Sequence, residues 1–287
     1  MGNDAPRRLL IINASPHRAA STTLLATNAF VAGMQAGGAY ACETVHLCAL
    51  KITPCTGCLS CWGRTEGECV IRDDDIPALK QKILDADVIL CSFPLYYFGM
   101  PGQMKVALDR LLSLVYAYHG QNAPTDGSPA HEFRYPMSGK RLLLISGCAY
   151  NETDVVYDPI SREFDLICGK GNYTALFCPQ FKTMADHGGA RLARILARFT
   201  AAGEEFARTG GGKPRPSAPS RVPPSLPRPT APFWRTCGQR SGKNLPATER
   251  IPLMSDQMIH LAVDLLGADT PEEELCRGAV RALVGNP

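Results

Sequence analysis

The chain has 287 residues, 45% of them hydrophobic, which is enough for one sizeable core and an appended segment. A formal net charge of +3, with Lys and Arg scattered along the chain, indicates neither a nucleic-acid nor a membrane partner. The apolar run at residues 9–12 is too short for a signal-peptide core or a membrane span. Twelve cysteines without an export signal predict a reducing compartment, so we expect a cytoplasmic protein.

Short apolar runs alternate with helical patterns over the first 208 residues. The predicted strands cover residues 8–15, 40–47, 87–93, 140–146 and 172–177. The predicted helices cover residues 22–37, with Ser21 as N-cap, 76–84, 103–115, 155–168 and 189–208. This alternation predicts an α/β fold with a doubly wound, five-stranded parallel sheet. The flavodoxin-like order 2-1-3-4-5 is preferred to a truncated dinucleotide-binding fold.

The composition changes after this predicted domain of residues 1–208. Glycines and prolines dominate residues 209–250, which predicts a linker or a wrapping arm. Residues 251–287 predict a helical C-terminal extension, with helices at 255–266 and 271–284. This extension either packs on a partner subunit or is partly disordered.

In such a sheet, ligands bind at the loops that follow the carboxyl ends of the strands. The loops that start at Ala14, Pro94 and Gly147 should therefore converge on one site. The first, NASPHRAASTT, brings three hydroxyls and several backbone amides to the positive end of a helix. It lacks the glycines of a pyrophosphate loop and the lysine of a Walker loop, so a single phosphate monoester fits it better. Taken alone, the same serines could equally be a helix cap and loop solvation.

In this position the loop resembles the GSPR-x-x-Ser-x-Thr loop of the NADPH-dependent FMN reductase family, in the flavodoxin-like superfamily. The resemblance covers about residues 8–205 and implies bound FMN. The residues implied to hold the FMN phosphate are Ser15, His17, Ser21, Thr22 and Thr23. His17 stands where the family has Arg and Thr22 where Asn is common, so positive charge here depends on His17 or Arg18. The alternative for His17 is a solvent-facing loop side chain.

Two further loops extend the resemblance to the flavin ring. The stretch FPLYYFGMPGQMK resembles the family's Pro-x-Tyr segment, and its aromatic groups suit a flat isoalloxazine ring. Its candidate contacts are Pro94, Leu95, Tyr96, Tyr97, Phe98 and Gly99. The loop after the fourth strand resembles a Ser-Thr-Cys-Gly segment near the polar edge of the ring, and adds Ser146, Gly147 and Cys148. For Cys148, a small buried hydrophobe is preferred to a redox-active thiol.

Four cysteines lie close together after the second strand: Cys55, Cys58, Cys61 and Cys69. The first three have the spacing of bacterial ferredoxin cysteines, so the four are candidate ligands of a 4Fe-4S cluster. A zinc site would need paired knuckles further apart. The resemblance divides here, because iron-sulfur flavoproteins carry four clustered cysteines, while many plain flavin reductases read CxGCxxCW followed by Asp-Asp, as this chain does. Without a cluster, the cysteines would be loop packing or reactive thiols.

The resemblance implies an FMN-dependent oxidoreductase that takes electrons from NAD(P)H and passes them to a quinone, flavin, nitro compound or protein. Since the flavin supplies the chemistry, binding residues are named and no catalytic ones. The alternatives are an iron-sulfur flavoprotein or flavodoxin-type electron carrier, which the slightly basic charge disfavours, and a flavin-free relative. The family also implies a homodimer or homotetramer with the flavin at the subunit interface.

Overall fold

A five-stranded parallel sheet forms the centre of the computed structural model, which describes residues 5–117 and 129–209. The strands are β1 (Arg7–Asn13), β2 (Tyr40–His46), β3 (Val88–Pro94), β4 (Arg141–Gly147) and β5 (Tyr173–Cys178). The helices are α1 (Thr23–Gly37), α2 (Ile76–Asp85), α3 (Gly102–Arg110), α4 (Asp158–Cys168), α5 (Phe181–His187) and α6 (Gly189–Thr209). The strand order β2-β1-β3-β4-β5 confirms the predicted flavodoxin-like sheet.

The described residues, including the whole sheet, belong to one compact unit of the chain. Residues 210–287 lie outside the described part of the chain. They include almost all of the predicted arm at 209–250 and the whole predicted extension at 251–287 with its two helices. Among the described helices, none is both long enough and apolar enough to cross a membrane.

β1 is buried on both faces because a parallel sheet is covered by helices on each side. Alternate side chains point to opposite faces, so Leu9 packs with Phe30 of α1 while Leu10 packs with Ile83 of α2. Both leucines are almost completely buried, at 1% and 3% exposure, and each contributes about 1.5–3 kcal/mol by burial. Two apolar layers therefore fix the position of β1 and of the loop that follows it.

Helices α1 and α6 touch backbone to backbone through two glycines. A Cβ on Gly33 would lie 1.9 Å from the carbonyl oxygen of Thr200, and a Cβ on Gly203 would lie 1.9 Å from that of Phe30. Neither distance leaves room for a side chain. This close contact holds α1, whose first turn faces the candidate site, against the rest of the core.

The helix boundaries differ from the prediction at three places. α3 ends at Arg110 and continues only as a 3₁₀ turn, Leu111–Leu114. α4 begins three residues later than predicted, with Pro159 in its first turn, where the missing N–H costs nothing. The short helix α5 was not predicted. Gly188 separates it from α6, and both Gly188 and Gly189, the first residue of α6, have positive φ.

The carboxyl ends of the strands meet at one edge of the sheet. β1 leads to β2 on one side and the neighbouring β3 leads to β4 on the other, so the topological switch point, where such sheets bind ligands, lies between β1 and β3. The amide of Ala14 donates to the carbonyl of Ser92 at 2.9 Å, and that of Leu95 donates to the carbonyl of Gly147 at 3.1 Å. The loops after β1, β3 and β4 therefore converge, as predicted.

Candidate functional site

Asn13, the last residue of β1, organises the loop that follows it. Its side chain is fully buried, and its Oδ1 accepts a hydrogen bond from the Ser15 amide at 3.1 Å. Its Nδ2 donates to the Arg18 carbonyl at 2.9 Å and lies 2.9 Å from Nδ1 of His46, which must accept because an amide nitrogen only donates. The sequence analysis did not single out Asn13, although a polar residue ending a buried apolar strand was a signal for it.

The predicted phosphate loop ends at the first turn of α1. Ser15, Ser21 and Thr23 are buried at 2%, 5% and 3% exposure. The prediction of Ser21 as N-cap is wrong: Thr22 holds that position, in a helical conformation, and within the described chain its side chain makes no capping hydrogen bond. The amides of Leu24 and Leu25 donate to the carbonyls of Ser21 and Thr22 at 3.1 and 3.0 Å, so the amides of Thr22 and Thr23 are the ones that an external acceptor could use, and the helix dipole favours an anion there.

His17 and Arg18 lie at the exposed part of this loop. Arg18 has a positive φ of 50°, which is uncommon for a residue with a side chain, and its guanidinium donates to the Cys48 carbonyl at 3.1 Å. The carbonyl of Arg18 is held by Asn13. The structure therefore places both predicted basic residues on the solvent side of the loop, where a phosphate would approach.

A tight reversal follows β3 and presents two aromatic side chains. Tyr96 and Gly99 exchange backbone hydrogen bonds, both 2.9 Å long, and the two residues between them, Tyr97 and Phe98, have φ of 47° and 63°. Turns with two positive φ values usually contain Asn and Gly, so two bulky aromatic residues here are strained. Such strain is found where function requires a particular side chain.

The reversal forms an exposed aromatic patch together with Tyr150, which was not predicted as a ligand contact. Tyr97 is 97% exposed and Phe98 is 42% exposed. The rings of Phe98 and Tyr150 stack with centroids 5.6 Å apart. The remaining predicted contacts of this loop, Pro94 and Leu95, are half-buried at its base. A flat apolar ligand would find its surface on the aromatic side chains.

The third predicted loop turns its side chains into the core. Ser146 is 1% exposed, and its hydroxyl lies 2.9 Å from that of Tyr157. Cys148 is buried, and burial raises the pKa of its thiol, which keeps it protonated and inert. Gly147 packs against Phe181, which a Cβ on Gly147 would approach within 2.8 Å. The structure therefore does not bring the side chains of Ser146 and Cys148 to the ligand face.

The four predicted cluster cysteines, Cys55, Cys58, Cys61 and Cys69, line one small cavity of about 20 Å³. All four are free thiols, the first two exposed and the others half-buried. Burial raises the pKa of Cys61, and negative charge on the other three cysteines raises it further, which shows their mutual proximity. Hydrogen bonds from Ser60 lower the pKa of Cys58.

The arrangement of these thiols bears on which metal they suit. Over residues 5–117 and 129–209, no three His, Cys, Asp or Glu side chains are close enough to hold a single metal ion. The space between the four cysteines, about 20 Å³, is roughly that of one water molecule, so the thiols would have to move apart to hold a four-iron cluster. Their chemistry as four thiolates still fits an iron-sulfur cluster.

Two buried cations, neither assigned a role from the sequence, fasten the cysteine loop. Lys80, 6% exposed, donates to the Gly67 carbonyl at 2.6 Å, to the Glu68 carboxylate at 2.7 Å and to the Tyr135 hydroxyl at 2.7 Å. Burial lowers the pKa of Lys80, but the hydrogen bonds and charges of Glu68 and Tyr135 raise it by more, so the pKa lies above its usual value. Arg110 is the second cation.

The side chains of Arg110 and Asp74 form an ion pair with 0% exposure on each side. Asp74 also accepts hydrogen bonds from the amides of Thr53 at 3.0 Å and Ile76 at 3.1 Å. Burial raises the pKa of Asp74, but the bonds from Arg110 and the two amides lower it more, so it stays ionised. Within the acidic run at residues 73–75, Asp74 is thus the residue whose side chain bonds the amide that begins α2.

Comparison with known proteins gives one family and several relatives. A family model described as a flavodoxin-like fold matches residues 7–157, more than half of the chain. An iron-sulfur flavoprotein of Archaeoglobus fulgidus is 41% identical over 70 residues, which is 24% of this chain and 30% of the relative. An iron-sulfur flavoprotein of Methanocaldococcus jannaschii is 33% identical over 103 residues, 36% of this chain and 51% of the relative. The chain thus spans about half or less of the length of these relatives.

Solved structures share the fold at low sequence identity. An FMN-dependent NADH-azoreductase of Bacillus anthracis, in complex with FMN, superposes with a TM-score of 0.53 at 15% identity, covering 70% of this chain and 99% of its own. An NAD(P)H:quinone oxidoreductase of Methanothermobacter marburgensis superposes with a TM-score of 0.52 at 16% identity, covering 70% and 100%.

Proposed function

The chain belongs to the flavodoxin-like fold family, and we propose that it is an FMN-dependent NAD(P)H oxidoreductase. Its electrons pass to a quinone, flavin, nitro compound or protein acceptor. One observation carries the proposal: an uncapped helix terminus with buried hydroxyls and a strained, exposed aromatic reversal meet at the switch point of the sheet. The first suits a phosphate and the second a flat ring, which are the two ends of FMN.

The phosphate end would be held by the loop from Ser15 to Thr23. The amides of Thr22 and Thr23 begin α1 and can donate to phosphate oxygens, while the hydroxyls of Ser15 and Ser21 lie in the same loop. The exposed side chains of His17 and Arg18 can add positive charge. In the described part of the chain, this loop leads into one helix terminus, which can bind one phosphate group.

The ring end would lie against the aromatic patch of Tyr97, Phe98 and Tyr150, with Gly99 closing the reversal. These side chains exclude water from one face of the ring and orient it. Bound FMN supplies the hydride-accepting and electron-carrying chemistry. NAD(P)H would then approach the open face of the ring as co-substrate.

We also propose that Cys55, Cys58, Cys61 and Cys69 hold a 4Fe-4S cluster. The proposal is supported by their shared cavity and by the buried cation of Arg110, which lines the same cavity and offsets thiolate charge. The relatives from Archaeoglobus fulgidus and Methanocaldococcus jannaschii are named iron-sulfur flavoproteins. The cluster supplies one-electron transfer.

The same proposal includes assembly and compartment. We propose a homodimer or homotetramer in which the exposed aromatic reversal at 96–99 meets the partner subunit, since burying these side chains favours association. A cytoplasmic location is supported by the cysteines of the described residues, which are all free thiols. Sedimentation of the purified full chain tests the proposed assembly, and a monomer at micromolar concentration would contradict it.

The enzymatic proposal is tested by turnover. The purified full chain, loaded with FMN, should oxidise NADPH or NADH continuously when a quinone is present, at a rate proportional to enzyme concentration. The same protein without FMN should show no turnover. A single stoichiometric reduction without turnover indicates an electron carrier instead, and failure to bind FMN overturns the proposal.

A further inference from the structure

Arg110 has one buried N–H group that the folded chain leaves unused. A guanidinium has five N–H donors. Nη1 donates to the Thr53 carbonyl at 2.6 Å and to Asp74 at 2.5 Å, and Nη2 donates to the Ile71 carbonyl at 2.8 Å and to Asp74 at 3.3 Å. Nε is buried and, among the described residues, has no hydrogen-bond partner. A buried donor without a partner is destabilising, so its retention requires an explanation.

The environment of this N–H points to the cysteines. Arg110 lines the cavity that Cys55, Cys58, Cys61 and Cys69 share. Burial lowers the pKa of Arg110, but the hydrogen bond to Asp74 and the negative charge at Cys69 raise it above its usual value. Cys69 and Arg110 line the same cavity, so the thiol lies near the guanidinium, while Nε itself has no hydrogen-bond partner among the described residues. The other four donors are fixed, so the guanidinium cannot turn away.

We propose that the Nε–H of Arg110 donates a hydrogen bond to the Cys69 thiolate when the four cysteines hold an iron-sulfur cluster, and thereby raises the reduction potential of that cluster. This inference rests on the 4Fe-4S cluster of the proposed function. A thiolate is a better acceptor than a thiol, because a donor to a charged group forms the stronger bond. One added electron increases the negative charge on the sulfurs, so the bond stabilises the reduced form more than the oxidised form. Arg110 is thus a positioning residue that acts through Cys69.

The test compares reduction potentials in the anaerobically purified full chain. Arg110→Lys keeps the positive charge beside Asp74 but removes the Nε–H, so a change reports the hydrogen bond rather than the charge. We expect about tenfold less reduced cluster at a fixed potential, equivalent to a potential about 59 mV lower for a one-electron couple. The matched control is Arg8→Lys, the same substitution at a residue of β1 whose side chain is 65% exposed and which does not line the cavity. Its potential should equal that of the wild type.

A second measurement needs no substitution, and decides the matter if Arg110→Lys fails to fold. Wild-type protein labelled with ¹⁵N-arginine should show, by pulsed electron paramagnetic resonance of the reduced cluster, a coupling from one arginine nitrogen. A cluster without this coupling, or with the same potential in Arg110→Lys as in the wild type, overturns this inference alone. Wild-type protein without iron and acid-labile sulfide overturns the cluster proposal and the inference with it.

Discussion

Removing the carboxylate of Asp74 should destabilise the folded chain more than any neighbouring acidic substitution. Asp74→Ala leaves the charge of Arg110 buried without its counter-ion, at a site where both side chains have 0% exposure. Breaking a buried pair by removing one partner costs about 3–5 kcal/mol. The amides of Thr53 and Ile76 lose their acceptor as well. For a domain of this size, we expect the midpoint of thermal unfolding to fall by roughly 6–20 °C.

The control is the adjacent residue, Asp73. Its side chain is 82% exposed and lies 3.8 Å from Lys51, which is itself 69% exposed. An exposed pair of this kind contributes about 0–1 kcal/mol, so Asp73→Ala should leave the midpoint almost unchanged. Circular dichroism during heating and urea titration of the full chain measures both. Equal midpoints for Asp74→Ala and Asp73→Ala would refute the account of how the cysteine loop is held.

The carboxylate of Asp74 should also make the stability of the folded chain fall at acid pH. The folded state lowers the pKa of Asp74 below its ordinary value of 3.8, so its contribution to stability is fully present above that value. The contribution is lost as the pH falls from about 4 through the lowered pKa. Asp74→Asn should lack this pH-dependent contribution. The free energy of unfolding, measured by urea titration across the acid range, should therefore change less with pH in Asp74→Asn than in the wild type.

Three further substitutions test the ligand loops and the core. Ser21→Ala should weaken FMN binding roughly tenfold to a hundredfold, the loss of a 1.5–3 kcal/mol charge-assisted bond, and leave riboflavin binding unchanged, as fluorescence titration would show. Tyr97→Gly should relieve backbone strain at a position whose φ is 47°, and so stabilise the protein by up to about 1 kcal/mol. It should also weaken the binding of both FMN and riboflavin, because an aromatic contact is lost. Unchanged flavin affinity would contradict the role of the reversal. Gly203→Ala should destabilise the protein by about 1–3 kcal/mol because its Cβ would lie 1.9 Å from the Phe30 carbonyl. The control, Gly102→Ala, has open space around its Cβ and should unfold at the wild-type temperature.

The sheet was predictable because its strands are short apolar runs separated by amphipathic helices. Parallel crossovers left two strand orders open, and the preferred flavodoxin-like order is the one observed. Short helix α5 was missed because its seven residues are too few to show a helical period. The exposure of Tyr97 and Phe98 follows from their place in a loop, but their positive φ values depend on the backbone pairing of Tyr96 with Gly99.

The parts of the candidate site that the sequence analysis missed depend on contacts between distant segments. Arg110 was given no role at the cysteines because its partner Asp74 is 36 residues away, on a different segment. Ser146 was selected by its position after a strand, whereas Tyr157, eleven residues later, captures its hydroxyl in the core. The convergence of the cysteines was predictable from their spacing alone, since they lie within one loop.

The central claim is that FMN is bound by the loops after β1 and β3. An absorption spectrum of the anaerobically purified full chain, with assays for flavin, iron and acid-labile sulfide, tests it most directly. We predict one FMN per chain, together with the broad absorption of an iron-sulfur cluster and iron and sulfide in equal amounts. A colourless protein that binds no added FMN would contradict the account.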